Sequence, residues 1–287
     1  MVSFGRVSTA MVTPFDSKGN IDFEKTTRLI DYLINNGTDS LVVAGTTGES
    51  PTLTAEEKVA LFQHAVKASA GRVPVIAGTG SNNTHQSIEL TKKAEAAGVD
   101  AIMLVAPYYN KPSQEGLYQH FKVIAEATSL PVMVYNVPGR TSVNIAPETI
   151  IRLSKVPNII AVKEASGDLD AATAIIAGTD DDFQVYSGDD SLTLPMLAIG
   201  GDGVVSVASH VAGNEMQQMV AAFLNGDFKQ AAKLHQKFVP LVKGLFAAPS
   251  PVPVKTALQI KGLDMGSVRL PLIPLTEEER ASLQKLL

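Results

Sequence analysis

Asn158-Ile159-Ile160-Ala161-Val162-Lys163-Glu164 is an aliphatic run that ends on two charged residues. Short, β-branched and apolar at consecutive positions, it has the pattern of a parallel strand buried on both faces. The pattern recurs at Val7–Val12, Ser40–Ala44, Val73–Ala77, Ala101–Ala106, Pro131–Val137, Phe183–Ser187 and Gly203–Ala208. Amphipathic helical stretches lie between these runs, among them Asp22–Asn35, Ala55–Ala70, Thr84–Ala97, Gln114–Ala127 and Pro147–Leu153. Helix punctuation agrees. Asn36-Gly37, Gly71 and Gly98 stand where helices stop, and Thr54 with Glu57 makes a capping box.

Eight strand-like runs alternating with helices are the count of an α/β fold of the (β/α)8 TIM-barrel type. A doubly wound sheet alternates too. The barrel is favoured because no linker separates two halves and no Rossmann glycine fingerprint follows the first run. After about residue 210 the strands cease, and Asn214–Leu224, Asp227–Phe246, Pro253–Gly262 and Thr276–Leu287 read as helices. The expected organisation is a catalytic barrel over residues 1–212 and an all-helical C-terminal extension over residues 213–287 packed on it.

Composition narrows the chemistry. The 287 residues are 45% hydrophobic and 18% charged, an ordinary globular mix. With 24 Lys and Arg against 29 Asp and Glu, the net charge of −5 argues against nucleic acid and anionic membranes as partners. The chain has no cysteine, which excludes thiol catalysis and cysteine-held metals. His64, His85, His120, His210 and His235 are scattered without an HExxH pattern, so no metal site is expected. Nothing approaches the ~20 apolar residues of a membrane span. Met1–Pro14 lacks the apolar segment of a signal peptide, and a cytoplasmic location is expected.

In a barrel of this kind the active site lies at the C-terminal strand ends. The most informative residue there is Lys163. By strand alternation it shares a face with Ile159 and Ala161, and with Ile160 and Val162 facing the helices it points into the barrel, opposite to Glu164. A lysine snorkelling to the rim is the ordinary alternative. Burial disfavours an ammonium and makes neutral amine available to condense with a ketone, forming an imine that acts as an electron sink. Tyr135, with the parity of Met133 on the neighbouring strand, is placed to relay protons to that amine. Thr46-Thr47-Gly48, in a loop entering a helix, offers hydroxyls and backbone N–H groups to a small carboxylate. Arg140 is a candidate for a second carboxylate. Gly78-Thr79-Gly80 and Gly200–Gly203 read as turns rather than phosphate cradles.

Gly45-Thr46-Thr47-Gly48-Glu49, Tyr135-Asn136-Val137-Pro138-Gly139-Arg140-Thr141 and Val162-Lys163-Glu164-Ala165-Ser166-Gly167-Asp168 closely resemble the dihydrodipicolinate synthase family. This family belongs to the pyruvate-dependent class I aldolases, together with N-acetylneuraminate lyase, and the resemblance spans essentially the whole chain. It implies that Lys163 forms a Schiff base with pyruvate, with Tyr135, Thr46 and Tyr109 shuttling protons. It further implies that Thr47 holds the pyruvate carboxylate and Arg140 the carboxylate of L-aspartate 4-semialdehyde, while Gly188 and Val205 line the pyruvate pocket through their backbones. No cofactor is expected beyond the covalent imine. Tyr109 matches a family tyrosine that crosses into a neighbouring subunit, which implies a homodimer or a dimer-of-dimers tetramer. The implied product is 4-hydroxy-tetrahydrodipicolinate, on the diaminopimelate route to lysine.

The family's lysine-feedback site is matched by Ser50, Leu53, Asn82 and Tyr108, but Lys58 and Gln86 stand where lysine-sensitive members carry a histidine and a glutamate. Weak or absent lysine inhibition is expected. Competing readings are a pyruvate aldolase acting on a sugar-derived aldehyde and a non-catalytic carbonyl-binding relative. Arg140 and the full proton-relay set argue against them.

Overall fold

Eight parallel strands close into a barrel in sequence order. They are β1 (Val7–Ala10), β2 (Ser40–Val43), β3 (Val75–Gly78), β4 (Ala101–Val105), β5 (Val132–Asn136), β6 (Ile159–Glu164), β7 (Gln184–Ser187) and β8 (Gly203–Ser206). The computed structural model describes residues 3–287; Met1 and Val2, the first residues of the expected barrel segment, lie outside the described residues.

Each strand is apolar on consecutive positions because it faces two cores. Leu41, Val43, Leu104, Val134 and Val162 pack outward against the helices. Ala10, Val42, Ile76, Met103, Met133, Ala161, Tyr186 and Val205 fill the barrel interior with Tyr135. On β6 simple alternation fails at one point. Val132 pairs with Ile159 but the next partners are Met133 and Ala161, so the strand carries one extra residue there. Ile159 consequently joins the outer core and Ile160 packs against the inner one, the reverse of the sequence expectation. Alternation resumes at Ala161, and Lys163 still points inward with it.

Between the strands lie α1 (Phe23–Asn35), α2 (Ala55–Ser69), α3 (Thr84–Ala96), α4 (Gln114–Ala125), α5 (Pro138–Thr141), α6 (Pro147–Leu153), α7 (Leu169–Gly178) and α8 (Thr193–Ala198). The expected capping box is present: the Thr54 side chain accepts from the Glu57 N–H while Glu57 accepts from the Thr54 N–H. Periodicity marks α7 poorly because Leu169-Asp170-Ala171-Ala172-Thr173-Ala174-Ile175-Ile176 is apolar on nearly every side.

The C-terminal helices are α9 (Ser209–Leu224), α10 (Phe228–Leu245), α11 (Val252–Ile260) and α12 (Glu277–Gln284). Helix α9 begins earlier than expected and crosses position 212, where Ala212 leaves helical geometry at φ −143°. It packs against β1, α10 and α11 and so joins the extension to the barrel wall. No helix among the described residues is long and apolar enough to cross a membrane.

Candidate active site

Lys163 lies in register with Tyr135 of β5 and Tyr186 of β7, and only 5% of it is exposed. Its Nζ sits 4.2 Å from the centroid of the Tyr135 ring. Glu164, on the opposite face, accepts from Asn136 Nδ2 at 2.9 Å and from the Ser166 N–H at 2.6 Å. That carboxylate is therefore engaged elsewhere, and Lys163 has no ion-pair partner among the described residues. Gly188 packs close to the Lys163 stem. A Cβ on Gly188 would lie 2.5 Å from the Ala165 Cβ and 3.1 Å from Lys163 Cε, so Ala165 excludes a side chain there and the lysine stem crowds the same space.

Lys163 opens into a cavity of about 420 Å3 that Thr46, Thr47, Tyr135, Arg140 and Gly188 also line. A neighbouring cavity of about 380 Å3 shares Thr46, Tyr135, Val137 and Arg140 with it and extends past Ser50, Lys58 and Tyr108. The shared residues form the wall between the two.

The Gly45–Glu49 segment is a tight turn, closed by Gly48 N–H to the Gly45 carbonyl at 3.1 Å and by Glu49 N–H to the Thr46 carbonyl at 3.1 Å. Thr13 Oγ1 donates to the Gly48 carbonyl at 2.7 Å and ties the turn to the end of β1. A Cβ on Gly48 would lie 3.1 Å from both Ala44 Cα and the Met11 carbonyl oxygen. The turn does not run directly into a helix as expected: a 3-10 turn over Ser50–Thr52 intervenes before α2. The donors available to an anion are consequently those of the turn itself, where the Thr46 and Thr47 amides take no backbone partner among the described residues.

Arg140 stands on the short helix α5, exposed to solvent and lining both cavities. Val205 is buried in the inner core beneath Tyr135; the cavity is lined beyond β8 by Val207. Tyr109 is 89% exposed with φ at +75°, and it lines neither cavity. Of the expected feedback-site residues, Ser50, Lys58 and Tyr108 line the second cavity, and burial pushes the Lys58 pKa down. Leu53 is buried, Asn82 donates to the Tyr108 carbonyl at 3.1 Å, and Gln86 is exposed on α3; none of the three lines that cavity.

Sequence reasoning missed two contributions. Phe246 and Ser250 of the C-terminal extension line the Lys163 cavity, and nothing local in the sequence marks them. Glu49 and Lys255 form a buried ion pair directly behind the Thr46–Thr47 turn. Lys255 interrupts an apolar helix just as Lys163 interrupts an apolar strand, and that signal was available.

A buried, unpaired amine beside a phenol, a turn with free backbone amides and an exposed arginine at the mouth suits covalent capture of an α-keto acid and attack on a second, carboxylate-bearing carbonyl compound. The sequence pattern of the dihydrodipicolinate synthetase family matches residues 3–287. The chain is 70% identical over 286 residues to the 4-hydroxy-tetrahydrodipicolinate synthase of Bacillus velezensis, covering 100% of this chain and 99% of the relative. It is similar to the crystal structure of a dihydrodipicolinate synthase from Bacillus anthracis, with 68% identity, a TM-score of 0.99 and coverage of 100% and 98%. A dihydrodipicolinate synthase from Cyanidioschyzon merolae with lysine bound shares 46% identity at a TM-score of 0.98, over 100% of this chain and 98% of that one.

Proposed function

The chain belongs to the dihydrodipicolinate synthetase family, and from that premise we propose how its residues divide the reaction among themselves. It is an enzyme that condenses pyruvate with L-aspartate 4-semialdehyde through a lysine imine, giving 4-hydroxy-tetrahydrodipicolinate for lysine biosynthesis. The observation that carries the assignment of roles is the buried Lys163 amine, 4.2 Å from the Tyr135 ring centroid, with Gly188 close against its stem.

Lys163 Nζ attacks C2 of pyruvate. The resulting carbinolamine loses water as Tyr135 and Thr46 pass protons to the departing oxygen. The iminium then accepts the electron pair left when C3 loses a proton, giving an enamine. Enamine C3 attacks the aldehyde carbon of the semialdehyde, forming the carbon–carbon bond, and the new alkoxide takes a proton. The substrate's own amine next adds to C2 and expels Lys163, which closes the ring and regenerates the enzyme. One water leaves overall, so atoms balance without any external oxidant or reductant.

Thr47 and the adjacent turn amides hold the pyruvate carboxylate, with Gly188 bounding that pocket and Val207 taking the place on its wall expected for Val205, which lies in the buried inner core. Arg140 at the mouth pairs with the semialdehyde carboxylate. The covalent imine serves as the only prosthetic chemistry in this scheme. Tyr109, far out in solvent on its own chain, completes the proton relay in a neighbouring copy, which makes the working form a homodimer or a dimer of dimers. We assign the reaction to the cytoplasm, on the likeness to bacterial biosynthetic enzymes.

Steady-state assays of Arg140→Ala test the division of labour. The half-saturating semialdehyde concentration is expected to rise about tenfold or more while that for pyruvate stays nearly constant. Equal rises in both constants, or turnover of N-acetylmannosamine in place of the semialdehyde, would overturn it.

A further inference from the structure

Lys255 sits on α11 with 4% of its side chain exposed, against 1% for Glu49. Its Nζ donates to Glu49 Oε1 at 2.7 Å and to the Ser267 carbonyl at 2.8 Å. The second Glu49 oxygen accepts from the Arg269 N–H at 2.8 Å. Phe15 covers the pair, its ring centroid 4.2 Å from the Lys255 ammonium. Arg269 extends the clamp, donating through Nη1 to the Thr52 carbonyl at 2.7 Å and to Glu57 Oε2 at 2.9 Å. The C-terminal extension thus grips the β2–α2 connection at Glu49 and Thr52 and the first turn of α2 at Glu57.

The grip falls on a strained residue. Glu49 adopts φ +56°, a left-handed conformation that a side chain with a Cβ holds only where its surroundings over-determine it. Its backbone N–H closes the turn onto Thr46, while its carboxylate is fixed to residues two hundred positions downstream. A buried ion pair adds little net stability over an apolar pair of the same shape, so its geometric consequence is the more informative one. Moving Glu49 moves the carbonyl of Thr46 and the amides beside it.

We propose that the Glu49–Lys255 pair positions the Thr46–Thr47 turn for the pyruvate carboxylate, so that the C-terminal extension sets pyruvate affinity from behind the site. The inference rests on the reading that this turn holds that carboxylate. Neither residue touches substrate; both are positioning residues acting through the turn.

The test compares the full chain with Glu49→Gln, Lys255→Met, the double variant and Thr47→Val in saturation curves for each substrate. The half-saturating pyruvate concentration is expected to rise about tenfold in each single variant, with the semialdehyde constant within about twofold of the parent. The double variant is expected to be no worse than the poorer single, because both act through one contact. If Thr47→Val weakens pyruvate binding but Glu49→Gln and Lys255→Met do not, the positioning role is overturned and the carboxylate reading stands. If none of the three does, both are overturned. A parallel rise for both substrates contradicts the proposal as well. Glu49→Gln keeps the shape of the residue and its acceptor for the Arg269 N–H, so it decides alone should Lys255→Met fail to fold.

Discussion

A single missing side chain shows how tightly the reacting amine is held. Any Cβ at position 188 meets the Ala165 Cβ at 2.5 Å and crowds Lys163 Cε at 3.1 Å. Gly188→Ala is therefore expected to displace the lysine and cut kcat/KM for pyruvate by about 100-fold, while far-ultraviolet circular dichroism stays native. Full activity in this variant would show that Lys163 does not need its present place. Lys58 is the second informative residue. A half-buried cation lines the second cavity at Lys58, and Gln86, where a lysine-sensitive relative is expected to carry a carboxylate, is an amide. L-lysine in the millimolar range is expected to leave the initial rate unchanged; inhibition at micromolar concentrations would contradict this. The inward placement of Lys163 and Tyr135 was legible from parity with Ala161 and Met133, where alternation holds, since a cation and a phenol inside apolar runs have few structural reasons to be there. Phe246 and Ser250 were not, because only tertiary packing brings them to the cavity.

At the scale of elements, the barrel was readable because parallel strands buried on both faces are nearly all apolar, and helices between them carry caps such as Thr54. What escaped was the bulge on β6, which exchanges the faces of Ile159 and Ile160 and has no sequence mark, both residues being isoleucine. The boundary expected between residues 212 and 213 falls inside α9, at its Ala212 kink, rather than between elements. Connections between strand ends depend on polar residues inside the wall. Asp190, wholly buried after β7, accepts from Ser206 Oγ at 2.5 Å, from the Val207 N–H at 3.1 Å and from the Ala208 N–H at 3.0 Å, and burial pushes its pKa up. Asp190→Ala strands those donors in a dry interior and is expected to cost roughly 2–4 kcal/mol, measured by denaturant unfolding. A loss below about 0.5 kcal/mol would mean that the end of β8 holds its shape without Asp190.

For the whole molecule, two histidines tie stability to pH. His210 accepts from the Val12 N–H at 3.1 Å through Nε2 and meets the Val207 carbonyl at 2.7 Å through Nδ1, bracing the end of β1 against the end of β8. Burial pushes its pKa down to about 4, and does the same for His120 on α4. The fold keeps both neutral. Their contribution is complete above the unfolded value of about 6.5 and is lost as pH falls from there through 4, since the unfolded chain takes up protons first. His210→Asn is expected to reduce the slope of unfolding free energy against pH by about 1.4 kcal/mol per unit in that window. An unchanged slope would show that His210 does not titrate between the two states.

Covalent capture of pyruvate by the Lys163 amine underlies every step of the reaction. Borohydride reduction of the enzyme in the presence of pyruvate, followed by peptide mapping, tests it most directly. One pyruvate-derived adduct per chain is expected, on the peptide containing Val162-Lys163-Glu164, with loss of activity in proportion to labelling. Labelling at any other lysine, or pyruvate-dependent turnover that survives Lys163→Ala, would contradict it.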